Sequence, residues 1–130
     1  LHIGLYHEPS RRPFLDHFAD LRRKGASVEE LFEEFQKLDF PAQDRVHLYS
    51  WFRDQVLHPH ETQHRYAEIA DLLAEEGLEI RSTSINQFQP IVSVEDIERR
   101  EEELREYAVR KLREGHYLPG FFTVLAVRRG

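Results

Sequence analysis

Apolar residues recur along this chain with two periods, one typical of strands and the other of amphipathic helices. Residues 2–6 and 120–128 form short apolar runs of strand length, and residues 78–86 have period-two character. The run near the C-terminus is continuous, which predicts a central strand buried on both faces and covered by helices. Strands separated by longer helical patterns predict a mixed α/β fold.

Two helices are expected in the first third of the chain, where apolar residues repeat at helical spacing. The first is predicted to begin at Pro13, after a loop at Pro9 and Ser10, and to end before Gly25. The second is predicted to begin with a capping box formed by Ser27 and a glutamate three residues later.

Three further helices are predicted after that. One covers about 43–57 and is broken by Pro59, and the next begins with Thr62 as its N-cap and ends before Gly77. The last is long and charged, begins after Ser93, and is expected to rest one narrow apolar edge on the body of the protein. Four ion pairs at i, i+4 spacing are predicted on it: Glu95–Arg99, Asp96–Arg100, Glu101–Arg105 and Glu106–Arg110.

The composition sets limits on the class of protein. The 130 residues predict one domain, covering 1–130, that is long enough to bury a core. The net charge of -6 argues against nucleic acid or an anionic membrane as a partner. The absence of cysteine excludes disulfides and thiolate metal sites. No apolar run approaches the roughly 20 residues of a membrane span, so a cytoplasmic location is expected.

The chain also lacks methionine and begins directly in strand-like residues. From this we expect it to be part of a longer protein.

A candidate metal motif lies at residues 60–64, where His60, Glu61 and His64 fit the His-Glu-x-x-His pattern of zinc peptidases. In such a site two histidines one helical turn apart bind zinc and the glutamate activates a water molecule. This defines a zinc-dependent hydrolase as an alternative function. Pro59, however, places the first histidine at the start of a helix, so we favour polar residues that cap backbone groups and face a cleft. An adventitious or structural metal would use three histidines: His58, His60 and His64.

Two other catalytic motifs are absent from the sequence, the Gly-x-Ser-x-Gly motif and a glycine-rich phosphate loop. Tyr6 and His7 end the first predicted strand, where open α/β sheets build ligand sites. Arg11 and Arg12 lie nearby and are candidates to hold an anionic group, although surface arginines are the simpler interpretation.

Five segments follow one another in a characteristic order: Gly-Leu-Tyr-His at 4–7, Trp-Phe-Arg-Asp-Gln at 51–55, His-Pro-His-Glu at 58–61, Gly-Leu-Glu at 77–79, and the strand at 121–127. Over nearly the whole chain, this order resembles the C-terminal half of class I S-adenosylmethionine-dependent methyltransferases. The stretch at 51–61 is the most specific part of the resemblance, whereas the strand endings are generic.

The resemblance implies a partial Rossmann-like methyltransferase fold with a mixed three-stranded sheet. Its last strand, 120–128, would be antiparallel and central, between the strands at 2–6 and 78–86. Helical insertions at 13–57 and 91–118 would act as lids over a cleft.

The resemblance also implies that the chain supplies the acceptor-substrate side of the enzyme. The family's cofactor-binding glycine motif, acidic ribose-binding residue and adenine-site loop belong to the other half of the domain and are not in this sequence. S-adenosyl-L-methionine is therefore expected to bind the intact protein, but not this chain alone. The expected partner is a small-molecule methyl acceptor. No catalytic residue is assigned, and the residues expected to bind the acceptor are Tyr6, His7, Arg12, His58 and His60.

Two expectations concern other partners. The family topology would leave an unpaired edge on the strand at 2–6, so a dimer through that edge is expected. A third candidate function, besides the methyltransferase and the hydrolase, is a non-catalytic interaction module that uses the charged helix at 94–114 as its contact face.

Overall fold

A computed structural model describes residues 1–38, 44–59 and 61–129. Within these residues the strands are β1 (His2–His7), β2 (Gln63–His64), β3 (Leu78–Thr83) and β4 (Phe121–Arg128). The α-helices are α1 (Glu8–Arg23), α2 (Val28–Gln36), α3 (Arg45–Phe52), α4 (Tyr66–Glu75) and α5 (Val94–Arg113). A π-helical turn (Arg53–Leu57) continues α3, and a 3-10 turn (Ser84–Asn86) follows β3.

The strands form one mixed sheet in the order β2-β1-β4-β3. Because β4 is antiparallel to both β1 and β3, those two strands run in the same direction. The prediction of a central, antiparallel last strand is therefore confirmed. The predicted number of strands is wrong, because β2 adds a fourth that pairs in parallel with the end of β1. Two residues are too short a strand to leave a periodic pattern in the sequence.

The faces of β4 differ in burial. Phe122, Val124 and Ala126 are 2%, 0% and 0% exposed, whereas Phe121 and Leu125 are 59% and 39% exposed. The prediction that this strand is buried on both faces is wrong. The buried face packs against apolar residues of α4 and α5, which cover one side of the sheet. Although the run is apolar throughout, its side chains alternate between a buried face and an exposed face of the sheet.

The helix α1 begins at Glu8 and not at Pro13, so the predicted loop at Pro9 and Ser10 is wrong. Pro9 lies in the first turn, where a missing amide hydrogen costs nothing. Pro13 lies inside the helix. The earlier start places Ser10 on the first turn, directly after the end of β1.

The helix α4 also begins at a different residue from the one predicted. Thr62 is not its N-cap, because residues 61–64 are not helical and α4 starts at Tyr66, after β2. The pairing of β2 with β1 takes the place of the first predicted helical turn. This long-range contact overrides the local capping signal.

Other helix boundaries follow the sequence signals. Ser27 and Glu30 form the predicted capping box of α2, and the Ser93 hydroxyl accepts a hydrogen bond from the amide of Asp96 in the first turn of α5. Three helices end two residues before the predicted glycines, which are Gly25, Gly77 and Gly115. Capping chemistry is local, and a sequence pattern can therefore predict it.

A second core lies among the helices that precede β2. It is built mainly from phenylalanines of α1, α2 and α3: Phe14, Phe18, Phe32, Phe35 and Phe52. The first core lies between the sheet and α4 and α5. Because α1 packs along α5, the two cores lie side by side.

The helix α5 rests its edge on the body as predicted, but its ion pairs differ. Glu101 is 1% exposed and points into the protein, so its predicted pair with Arg105 is wrong. Arg105 instead pairs with Glu8 on α1, at 2.8 Å. Asp96 pairs with Arg99, three residues further along and not four. No helix in the described ranges is both long enough and apolar enough to cross a membrane.

We predict that Gly120→Ala destabilises the fold more than Gly77→Ala does. Both glycines have a φ of +75°, but a Cβ at Gly120 would lie 2.9 Å from the Cα of Arg11, whereas one at Gly77 has nothing within 4 Å. The free energy of unfolding should fall by about 1 kcal/mol for Gly77→Ala, because of its backbone conformation alone. For Gly120→Ala we expect a loss of about 3 kcal/mol, because overpacking against the backbone is added. Urea unfolding measures both, and equal losses would contradict the close approach of β4 to α1.

Candidate functional site

A cleft of about 370 Å³ opens at the end of the sheet where β1 and β3 finish and β4 begins. His7 ends β1, Ser84 follows β3, and Gly120 precedes β4, so the cleft lies at the carboxyl ends of the two strands that run in the same direction. Leu104 and Tyr107 of α5 form its outer wall. Ligands of α/β sheets bind at this edge of the sheet.

The lining of this cleft is mostly apolar. It includes Ile85, Leu104, Leu118, Pro119, Phe121 and Phe122. The polar lining residues are His7, Ser10, Ser84 and Tyr107, and none of the described lining residues is Lys, Arg, Asp or Glu. Such walls favour an uncharged ligand with a large apolar surface and few polar groups.

A buried pair of ionisable side chains lies behind the cleft. The Nε2 atom of His7 is 2.8 Å from Oε2 of Glu101, and each side chain is only 1% exposed. The same oxygen accepts a hydrogen bond from the backbone amide of Tyr66, at 2.9 Å. The carboxylate therefore joins β1, α4 and α5 at a single atom.

The other ring nitrogen of His7 faces a hydroxyl group. Its Nδ1 atom is 3.1 Å from Oγ of Ser10, which lies on the first turn of α1. An ionised carboxylate only accepts hydrogen bonds, so Nε2 carries the hydrogen that is shared with Glu101. In the neutral imidazole, Nδ1 is then an acceptor for the hydroxyl hydrogen of Ser10. Carboxylate, imidazole and hydroxyl thus form one hydrogen-bonded row that ends at the cleft.

A second buried polar group lies beside this row, on the other side of β1. Arg11 is 0% exposed, and its guanidinium lies 5.0 Å from the ring centre of Tyr6 and 4.9 Å from that of Phe14. Its Nη2 atom is 2.9 Å from Oε1 of Glu61. Its Nε atom also donates to Glu61, and its remaining hydrogen bonds go to Gln55 and to the hydroxyl of Tyr117.

Charge and burial act in opposite directions on Arg11. Burial alone would lower its pKa, but the hydrogen bond to Glu61 and the nearby negative charge outweigh burial and raise the pKa. Burial raises the pKa of the Tyr117 hydroxyl, although the charge of Arg11 opposes that shift. The guanidinium therefore stays charged and holds Glu61 close to α1. Gln55 and Glu61 also line a groove of about 250 Å³, but Arg11 and Tyr117 do not, so the buried guanidinium itself serves the fold.

The predicted acceptor-binding residues do not lie together. His7 lines the cleft, whereas Tyr6 lies on the opposite face of β1 and stacks on Phe121 at 4.5 Å. Arg12 is exposed and lines a separate groove of about 250 Å³. His58 is exposed at the end of the π-helical turn, and His60 lies outside the described residues. Of the four described candidates, the structure places only His7 at the cleft.

The zinc motif does not adopt the helix that a peptidase site requires. Residues 61–64 are extended or irregular, with His64 in β2. Glu61 pairs with Arg11, and His64 pairs with Glu68. Within the described ranges, no three His, Asp or Glu side chains lie close enough together to hold a metal ion.

Ser10 and Glu101 were not among the predicted site residues. Ser10 follows His7 by three residues, which is one turn of a helix whose start was predicted too late. Glu101 carried a visible signal, because it interrupts the apolar edge of α5 between Ile97 and Leu104. A carboxylate in an apolar edge indicates a buried polar contact, since such groups are rarely buried without a partner.

A larger groove of about 430 Å³ lies between α1 and α5. Its polar lining residues are partly or fully exposed: Asp16, His17, Arg105 and Arg113. It contains no buried ionisable pair among its described lining residues, so the cleft at the strand ends is the better candidate site.

Comparison with known proteins adds no assignment. A scan against protein-family models finds no match, and searches of curated proteins and of solved structures find none either.

We predict that Arg11→Lys destabilises the fold and that Arg12→Lys does not. A lysine cannot reproduce the planar fork that reaches Glu61, Gln55 and Tyr117 together, and a buried acceptor is left unpaired. The free energy of unfolding should fall by about 2 to 3 kcal/mol for Arg11→Lys. The exposed neighbour Arg12 should change it by less than about 0.5 kcal/mol. Urea unfolding of both variants measures the difference, and similar values for the two would show that the Arg11 network does not stabilise the fold.

We predict a similar contrast between two glutamates of α5. Glu101→Gln keeps the side-chain shape but weakens two hydrogen bonds to a charged acceptor, which should cost about 2 kcal/mol. Glu98→Gln changes an exposed carboxylate on the same helix and should cost less than about 0.5 kcal/mol. Thermal and urea unfolding measure both variants. An unchanged stability for Glu101→Gln would contradict the role of its carboxylate in joining the three elements.

Proposed function

We propose that this chain is the acceptor-substrate side of an S-adenosylmethionine-dependent methyltransferase. The supporting observation is the position of β4, which lies antiparallel between β1 and β3 while those two strands run in one direction. This is the arrangement that the sequence resemblance implies for the last strand. The proposed substrate is a small-molecule methyl acceptor that binds in the cleft at the carboxyl ends of β1 and β3.

A glycine-rich cofactor loop is lacking among the described residues. A cofactor loop of this fold class follows a strand with a run of glycines before a helix. Here β1 passes directly into α1 at Glu8, and the glycines after helices lie singly. We therefore propose that S-adenosyl-L-methionine is held by the other half of a larger domain, and we assign no step of its chemistry to residues of this chain.

The open edge of β1 agrees with a larger sheet. The amide of His7 donates to the carbonyl of Gly120, and Leu1 exchanges hydrogen bonds with Ala126, so the odd residues of β1 face β4. The backbone groups of His2 and Gly4 therefore point to the other edge, beyond the two pairs made with β2. We propose that a strand of the intact domain pairs there, and that a second copy of the chain takes its place when that strand is missing.

Isothermal titration calorimetry with S-adenosyl-L-methionine tests the proposed function. The complete product of the open reading frame should bind the cofactor at one site per chain, whereas residues 1–130 alone should not. The 130-residue chain is the matched control, because it contains the acceptor side without the proposed cofactor side. Failure of the complete product to bind would overturn the proposal.

A further inference from the structure

We propose that His7, oriented by Glu101, accepts a proton through Ser10 from an O–H or N–H group of an uncharged, largely apolar ligand in the cleft. This inference deepens the proposed function and rests on it only for the identity of the ligand as a methyl acceptor. The arrangement of the three side chains carries the rest of the argument.

Glu101 fixes the orientation of the imidazole ring through Nε2. Glu101 lies 2.8 Å from Nε2 and is itself fixed by the amide of Tyr66, so the ring cannot rotate without breaking a buried hydrogen bond. Phe122 packs beside the ring, with the ring centres 4.8 Å apart. The lone pair of Nδ1 is therefore held toward Ser10. A carboxylate behind an imidazole also stabilises the cation that forms when the ring accepts a proton.

The hydroxyl of Ser10 provides the path from the cleft. His7 and Ser10 both line the cleft, but His7 is only 1% exposed whereas Ser10 is partly exposed, so Ser10 is the more accessible of the two to a ligand. The ligand hydrogen moves to Oγ of Ser10 while the original hydroxyl hydrogen moves to Nδ1. The bond between the ligand heteroatom and its hydrogen breaks, and the electron pair stays on that heteroatom. The products are a ligand anion and an imidazolium paired with Glu101, so charge is conserved.

A helix-capping role does not account for this row. His7 is the N-cap of α1, yet its side chain makes no capping hydrogen bond to the helix amides. Its two ring nitrogens are used instead by Glu101 and Ser10. The geometry therefore fits proton transfer better than helix capping.

The walls of the cleft identify the class of ligand. Leu104, Ile85 and Phe122 favour an aromatic ring or a short acyl chain, and the described lining residues include no cationic group to hold an anion. The exposed guanidinium of Arg12 lies at another groove. The ligand therefore directs its single O–H or N–H group toward Ser10 and its apolar part toward α5.

Nitrogen-15 NMR of histidine-labelled chain tests the first step without a known ligand. In the chain without ligand, Nε2 of the His7 ring should carry the hydrogen and Nδ1 should not, and the His7→Gln variant identifies its resonances. A ring protonated at Nδ1, whether as the other tautomer or as a cation, would leave no base facing Ser10 and would overturn the proposal.

Titration with phenol and toluene tests the second step, because phenol carries a hydroxyl group where toluene carries a methyl group on the same ring. Phenol should bind about fivefold more tightly than toluene, as expected for one added hydrogen bond, and should shift the Nδ1 resonance of His7. Ser10→Ala should abolish the preference for phenol, whereas Ser50→Ala, at an exposed position on α3, should retain it. Equal affinities for the two probes in the unaltered chain would overturn the proposal. Cofactor binding by the intact protein is measured separately, so a failure here does not touch the proposed function.

Discussion

One buried oxygen constrains the structure around the cleft. Oε2 of Glu101, on α5, accepts hydrogen bonds from the ring of His7 at the end of β1 and from the first amide of α4. Burial of a carboxylate costs several kcal/mol unless its oxygens are hydrogen-bonded. The three elements must therefore keep their relative positions for the oxygen to stay paired. Because α5 also forms the outer wall of the cleft, this requirement fixes the width of the cleft as well.

The buried guanidinium of Arg11 plays the corresponding part on the other side of β1. It lies between the rings of Tyr6 and Phe14 and holds Glu61 at the segment that leads into β2. The close approach of Gly120 to Arg11 brings the start of β4 against the first turn of α1. The phenylalanine core of the helices is thereby joined to the edge of the sheet that carries the site.

Local signals in the sequence predicted much of the fold. The capping box at Ser27, the cap at Ser93 and the glycines after three helices gave correct boundaries, because capping depends on residues within one turn. The central position of β4 was predicted from its continuous apolar run, and its antiparallel direction from the family resemblance. Pairings between distant residues were missed. The strand β2 is too short to leave a sequence pattern, and its pairing with β1 moves the start of α4 from the predicted cap at Thr62 to Tyr66. The exposed face of β4 was missed because an apolar run does not reveal which face has a partner.

The candidate site was predictable only in part, for a related physical reason. His7 was found because a strand end is visible in the sequence, but its partners come from α1 and α5 and depend on tertiary packing. The antiparallel insertion of β4 decides which groups meet there. It brings the start of β4, at Gly120 and Phe121, to the carboxyl end of β1, and this closes the apolar wall opposite Ser10. The strand arrangement that supports the proposed function and the position of the proposed proton acceptor thus have the same structural origin.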